Sequence, residues 1–262
     1  MNSEVGATPV QLTPSMPTLN ARPLSPDERV YAAIYEAVQE HRLEPGLKLR
    51  EVELTTLFKV SRTSVRTALL RLSHKGILDI SPNRGATVAK PTAEDCRQIL
   101  ESRLAVEGMV VEVLARAADP SVVKSLRAHV RVQQRAFESG KVEEGHRLAI
   151  AFHRLLAGKC GNRVLSRLLD DLLARMPLVI LTHGKPRRSG RPTDADHVDL
   201  VEAIAAGQAA LARRILARHL KALQDELNLD RQAPRVSLSQ ALGHEQRLCR
   251  SKPEVIARAD EI

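Results

Sequence analysis

Residues 60–88, VSRTSVRTALLRLSHKGILDISPNRGATV, carry the side chains best suited to meeting a polyanion. At helical spacing Val65, Ala68, Leu69 and Leu72 share one face, which predicts that this face packs inward. Arg62, Thr63, Arg66 and Thr67 then point outward, and Leu70 shares that side. An arginine can bind guanine through two parallel hydrogen bonds, and short hydroxyl side chains let a helix approach base edges closely. Gly76 predicts a left-handed cap at the helix end. Two short strands are expected at 77–80 and 86–89, around a tip carrying Arg84 and Gly85, where glycine permits close approach to a sugar-phosphate backbone. One helix for the major groove with a hairpin beside it is the layout of a winged helix-turn-helix. From 59 to 90 the cations Lys59, Arg62, Arg66, Arg71, Lys75, Arg84 and Lys90 stand against one acid, Asp79, a balance that binds phosphates in a salt-dependent way. The competing explanations are a merely solvated basic helix and a winged helix that binds protein.

A second set of chemically capable residues lies downstream. His153, His197 and His219 fall on three different expected helices, each among apolar neighbours. Imidazole ligates zinc, nickel, iron or manganese, and bundle interiors are common metal sites. On spacing alone, three such histidines are more often ordinary buried or surface residues. Arg103 stands on an apolar helix face and needs an anion. Glu107, four residues on, supplies one within the helix, and a ligand carboxylate bound bidentately would be the functional alternative. Asn162 at a helix start either caps that helix or joins the same pocket.

The elements that must position these groups follow from pattern and composition. The 262 residues are enough for two domains with separate cores, and with 2% aromatics and no Trp the cores must be built from Leu, Val, Ile and Ala, which favours helices. The formal charge of +9 suits a polyanionic partner. Three widely spaced cysteines (Cys96, Cys160, Cys249), without any CxxC, argue against a disulfide framework and for a reducing, cytoplasmic setting. Neither a membrane-spanning run nor a signal peptide is read. Residues 1–25, rich in Pro, Thr and Ser, are expected to be a disordered tail, as are 231–262, with a short helix near 236–242.

Between the tails, residues 26–91 read as the DNA-binding domain. Ser25-Pro26-Asp27-Glu28 starts a helix expected to stop near Leu43. A second helix from about Glu51 to Phe58 offers Val52, Leu54 and Leu57 to the core, and Lys59-Val60 makes a tight turn before Ser61 caps the third. Residues 92–230 read as an all-α antiparallel bundle, with helices near 93–118, 121–139, 142–158, 163–182, 194–206 and 209–229. Thr193 with Asp196 forms an expected capping pair. The fold class is therefore mainly α: a winged helix-turn-helix of three helices plus a two-stranded wing, followed by a helical bundle.

The run LREVELTTLFKVSRTSVRTALLRLSHKGILDISPNRGATV closely resembles the GntR family of bacterial transcription regulators. Its matching features are the acidic-apolar second helix, the VSRTSVR entry, the xLxRLxxxG exit and RGxxV on the wing. The resemblance implies DNA contacts from Arg62, Ser64, Arg66 and Gly85, although helical geometry alone puts Ser64 to the side. ESRLAVEGMVVEVLARAA, AFHRLLAGKCGNRVL and ADHVDLVEAIAAGQAALARRILARHL resemble the FCD-type effector domain of the same family. That resemblance implies a small-molecule effector and a divalent metal (Zn, Ni or Mn) held by one aspartate and three histidines, the latter matching His153, His197 and His219. The aspartate position, one turn before His153, is Ala149 here. His146, two turns upstream, is a poor substitute. Three outcomes remain open: a metal on three histidines with an effector carboxylate or water, an organic acid held by histidines and Arg103 (with Asn162) without metal, or a pocket without small-molecule function.

The expected function is a cytoplasmic bacterial regulator that binds a palindromic DNA operator as a homodimer, a repressor relieved by a carboxylic acid and/or metal. It is not expected to be an enzyme. A metal-dependent hydrolase at the three histidines and an effector-blind architectural DNA-binding protein are the rivals. Against the hydrolase, no HExxH, nucleophile motif or nearby carboxylate stands in sequence beside His153.

Overall fold

A computed structural model describes residues 23–81, 85–184 and 193–229. The expected tails at 1–25 and 231–262, apart from 23–25, lie outside these described residues, as do Arg84 at the wing tip and Cys249. So does the side chain of Thr193, and with it the expected Thr193 cap.

The amino-terminal part contains α1 (Pro26–Gln39), β1 (Lys48–Leu49), α2 (Glu51–Phe58), α3 (Arg62–His74), β2 (Leu78–Ser81) and β3 (Gly85–Val88). Ser25 caps α1 in a capping box with Glu28, and Pro26 occupies the first turn. The helix ends before the expected Leu43 because His41 turns left-handed (φ 59). The amides of Arg42 and Leu43 then both donate to the carbonyl of Ala37. Lys59 is also left-handed (φ 52), which makes the tight turn between α2 and α3. Only Leu54 of α2 is buried. Val52 and Leu57 are 61% and 73% exposed, against expectation, because a helix of this length packs a single face. The wing strands run one residue out of step with the expected ranges, and a third strand, β1, joins them. The order is β1-β3-β2, all antiparallel, with Leu49 opposite Ala86 and Leu78 opposite Val88. Val30, Val65, Ala68, Leu72, Ile77 and Val88 are sealed in the core between α1, α3 and the sheet.

The bundle contains α4 (Ala93–Ala117), α5 (Pro120–Glu138), α6 (Val142–Lys159), α7 (Arg163–Ala174), α8 (Met176–His183), α9 (Thr193–Ala205) and α10 (Ala209–Glu226). Thr92 and Asp95 form a capping box on α4, and Asp119 with Pro120 starts α5. The single helix expected over 163–182 is two. Pro177 lacks the amide that a continuing helix needs and instead takes the first turn of α8. The break has a consequence for the whole molecule, because Ala174 and Leu178 on either side of it enter the core of the amino-terminal part.

Polar contacts fasten the same junction. Gln39 Nε2 donates to the carbonyl of Ala174 (3.1 Å), and Arg154 on α6 reaches Asp170 (3.1 Å) and the hydroxyl of Tyr35 (2.8 Å). Lys75, at the end of α3, bonds Asp170 (3.0 Å) and Asp171 (2.5 Å). Arg175 donates to the carbonyl of Lys75 (3.0 Å). Its guanidinium lies where a Cβ on Gly76 would stand and would have to move aside for one, while φ +68 makes glycine the favoured residue there.

Candidate functional site

The outward face of α3 is built from its first two turns. Ser61 accepts from the amide of Ser64 (3.1 Å), which fixes the helix start at Arg62. Arg62, Thr63, Arg66 and Thr67 are exposed side by side. The Ser64 hydroxyl is only half exposed and bonds Ser61 Oγ (2.9 Å), so it serves the cap. Gly85 is exposed with φ +78 at the start of β3. Not every expected cation belongs to this face. Arg71 bonds Asp27 (3.1 Å) and lies over the Tyr31 ring, 4.6 Å from its centroid. Lys75 is turned into the junction. Burial opposes its charge, but its bonds to Asp171 and Asp170 prevail and raise its pKa. The acids that claim Arg71 and Lys75 stand far away in sequence, which is why the cluster looked larger than it is.

His153 (α6), His197 (α9) and His219 (α10) are all buried and converge on one point. One nitrogen of each lies within 4.8 Å of the other two. Nε2 of His197 and Nε2 of His219 are 3.4 Å apart. That is close to the roughly 3.3 Å edge of a tetrahedron with metal–nitrogen bonds of about 2.0–2.1 Å. Each ring has an oxygen behind it. His153 Nδ1 donates to Glu107 (2.5 Å) and His197 Nδ1 to Gln133 (2.9 Å). His219 Nδ1 has no hydrogen-bond partner and faces Asp196 Oδ2 at 3.7 Å. Outer carboxylates and carbonyls of this kind fix the tautomer and orientation of metal-ligating imidazoles. Phe152 stacks on His197 (centroids 4.3 Å apart) and meets His153 edge-on, holding both rings in place. The donor set of three convergent imidazole nitrogens therefore fits a divalent ion, with no carboxylate supplied from position 149.

Arg103 takes its within-helix partner. Its Nε donates to Glu107 (2.6 Å), and both side chains are almost fully buried, at 2% and 1% exposure. Nη2 of Arg103 is buried with no hydrogen-bond partner among the described residues. Asn162, by contrast, does not join a pocket. It is exposed, and its side chain caps α7 by accepting from the amides of Val164 and Leu165. His146 stays out of the cluster and packs edge-on against Phe137. Gln133 and Asp196 support the site although no motif marks them. Gln133 sits on the buried stripe Val123-Leu126-Val130-Gln133 of α5, where a polar residue at core spacing was the available signal. Asp196 was expected in a cap, but its oxygens bond Arg218 and face His219.

Burial sets the protonation of His153 and His197. It lowers His153 to about 4 against an ordinary 6.5, with Glu107 pulling upward and Arg103 downward, and it puts His197 well below the ordinary value. Burial would raise Glu107, but Arg103 and His153 outweigh it and hold the carboxyl at about 2. At neutral pH His153 and His197 therefore present lone pairs while Glu107 stays ionised. Between about pH 6.5 and 4 the unfolded chain binds protons that the folded protein refuses. Stability must then fall as pH falls through that window, by up to about 1.4 kcal/mol per pH unit from His153, with His197 acting in the same direction. Urea unfolding of metal-free protein at pH 7, 6 and 5 checks this, and equal stability at all three contradicts it.

Residues 26–88 match the family described as bacterial regulatory proteins, gntR family, and residues 98–222 match the FCD domain. The HTH-type transcriptional repressor RspR of Escherichia coli is 24% identical over 225 residues, covering 85% of this chain and 94% of that protein. The HTH-type transcriptional regulator LutR of Bacillus subtilis is 27% identical over 219 residues, covering 73% and 96%. A solved GntR structure from Rhodococcus sp. RHA1 covers 80% of this chain and 100% of its own, with TM-score 0.69 and 23% identity. The structure of McbR/YncC of E. coli covers 76% and 94%, with TM-score 0.62 and 21% identity. These two likenesses carry the fold, a winged helix-turn-helix followed by a helical bundle.

Proposed function

The chain belongs to the GntR family of bacterial regulatory proteins and is a transcription regulator with an FCD domain, and from this premise we propose that it is a repressor whose operator affinity is set by a small carboxylic acid and a divalent metal. The observation that carries the DNA-reading half is the exposed row Arg62-Thr63-Arg66-Thr67 on the first turns of α3, with Gly85 and Arg84 assigned to the wing. Two copies reading a palindrome are proposed because one such helix spans only a few base pairs. In the bundle, His153, His197 and His219 are the proposed metal ligands. A bound divalent ion would supply a positive centre for an acidic effector. Arg103, whose Nη2 lacks a partner, is the proposed second contact for the effector carboxylate.

Coupling between the two halves follows the chain itself. His153 faces the cluster while its neighbour Arg154 reaches Tyr35 of α1 and Asp170, and Asp170 also holds Lys75 at the end of α3. An effector that prefers one setting of α6 thereby biases the position of the recognition helix.

The test of the DNA-reading half begins with selection of duplexes from a random pool by the wild-type protein. Replacing Arg62 and Arg66 together by Ala is expected to lower affinity for the selected duplex by about a hundredfold or more, since each bidentate base contact contributes about 1–3 kcal/mol. Affinity for random duplex should fall far less. A double variant that keeps its preference contradicts the assignment of α3 as the reading helix.

A further inference from the structure

Arg66 is not free in solvent. Its Nε lies 3.0 and 2.9 Å from the two carboxylate oxygens of Glu51, which stands in the first turn of α2. Arg66 remains 68% exposed in that pair. An exposed ion pair of this kind adds little to fold stability. A carboxylate on the face that meets DNA also repels phosphates, so its presence there needs another explanation. The geometry offers one. Glu51 occupies only the Nε side of the guanidinium, leaving Nη1 and Nη2, an edge that matches O6 and N7 of guanine. A long arginine side chain held in one pose loses less freedom when it meets its base. The N-terminal end of α2 in turn favours the Glu51 charge.

We propose that Glu51 is a positioning residue that holds Arg66 in the pose that reads a guanine, giving up overall affinity for selectivity. This rests on the assignment of Arg66 to the reading face. The two effects of Glu51→Gln should therefore have opposite signs. Affinity for random duplex rises, because an anion has been removed. Preference for guanine over other bases at one position per half-site falls, by about tenfold.

The experiment measures duplex selection and competition binding for wild type, Glu51→Gln, Arg66→Ala and the double variant. Because Glu51 acts through Arg66, Glu51→Gln should change base preference in the wild-type background and leave it unchanged in the Arg66→Ala background. Binding to random duplex reports in each variant that the domain is folded. A Glu51→Gln protein that keeps the wild-type guanine preference overturns the proposal, as does one that changes preference equally in both backgrounds. Wild-type protein without any base preference would instead overturn the DNA-reading assignment, and this inference with it.

Discussion

Replacing Glu107 by Gln is expected to destabilise the protein by about 3–5 kcal/mol, one of the largest single-residue effects in the molecule. The carboxylate sits between Arg103 Nε (2.6 Å) and His153 Nδ1 (2.5 Å), and all three side chains are almost fully buried. An amide is isosteric but offers one acceptor and one donor in place of two acceptors. Its NH2 must then face either the guanidinium or the imidazole N–H, and Arg103 is left charged with no anion beside it. The cost belongs to the orphaned partner rather than to the lost bond, so removing the partner as well should recover much of it. A double Arg103→Met, Glu107→Leu variant is expected to be more stable than Glu107→Gln alone. Urea unfolding of the three proteins measures this. A single variant within 1 kcal/mol of wild type, or a double variant less stable than the single, contradicts it. Metal affinity should fall most in the double variant, where His153 loses the oxygen that orients it; outer partners of this kind are worth about 10- to 100-fold.

The second large effect concerns the metal itself. Zinc added to metal-free protein at about a hundred times its dissociation constant is expected to stabilise the fold by about 2.7 kcal/mol. For a chain of this size that raises the melting temperature by about 5–10 °C. His219→Ala is the control of choice, because it removes one proposed ligand and only one ring hydrogen bond, the 3.4 Å contact of Nε2 with His197 Nε2. That variant should fold and should lose most of the zinc-dependent shift. Nickel and manganese in parallel experiments rank the site's preference. The contradicting result is a melting temperature unmoved by all three ions, or an equal shift in wild type and His219→Ala.

Local signals made the winged helix legible. Ser25 and Ser61 fix two helix starts, Gly76 with φ +68 ends the third helix, and the apolar spacing of Val65, Ala68, Leu69 and Leu72 orients it. The third strand escaped notice because two residues, Lys48 and Leu49, have no periodicity, and their partners Thr87 and Ala86 lie far along the chain. The division of α7 from α8 was within reach, since Pro177 stands inside the expected helix. Its effect on the junction was not, because that depends on where Ala174 and Leu178 pack. Placement on three apolar helices marks the histidines as candidates, and the family resemblance is what makes them a ligand set. Their supports (Glu107, Gln133 and Asp196) come from α4, α5 and α9, and only the closed bundle brings them behind the rings. The same holds for Glu51 and Arg66, which the turn at Lys59 folds against each other.

The central claim is that a duplex-reading helix is governed by the buried histidine cluster. Its most direct test is equilibrium binding of the selected duplex with no additive, with zinc, and with zinc plus each of a panel of carboxylic acids. At least one condition should shift wild-type affinity by about fivefold or more, and His219→Ala should bind the duplex with its affinity unmoved by the same condition. An affinity that is constant across every condition, or that shifts equally in His219→Ala, contradicts the account.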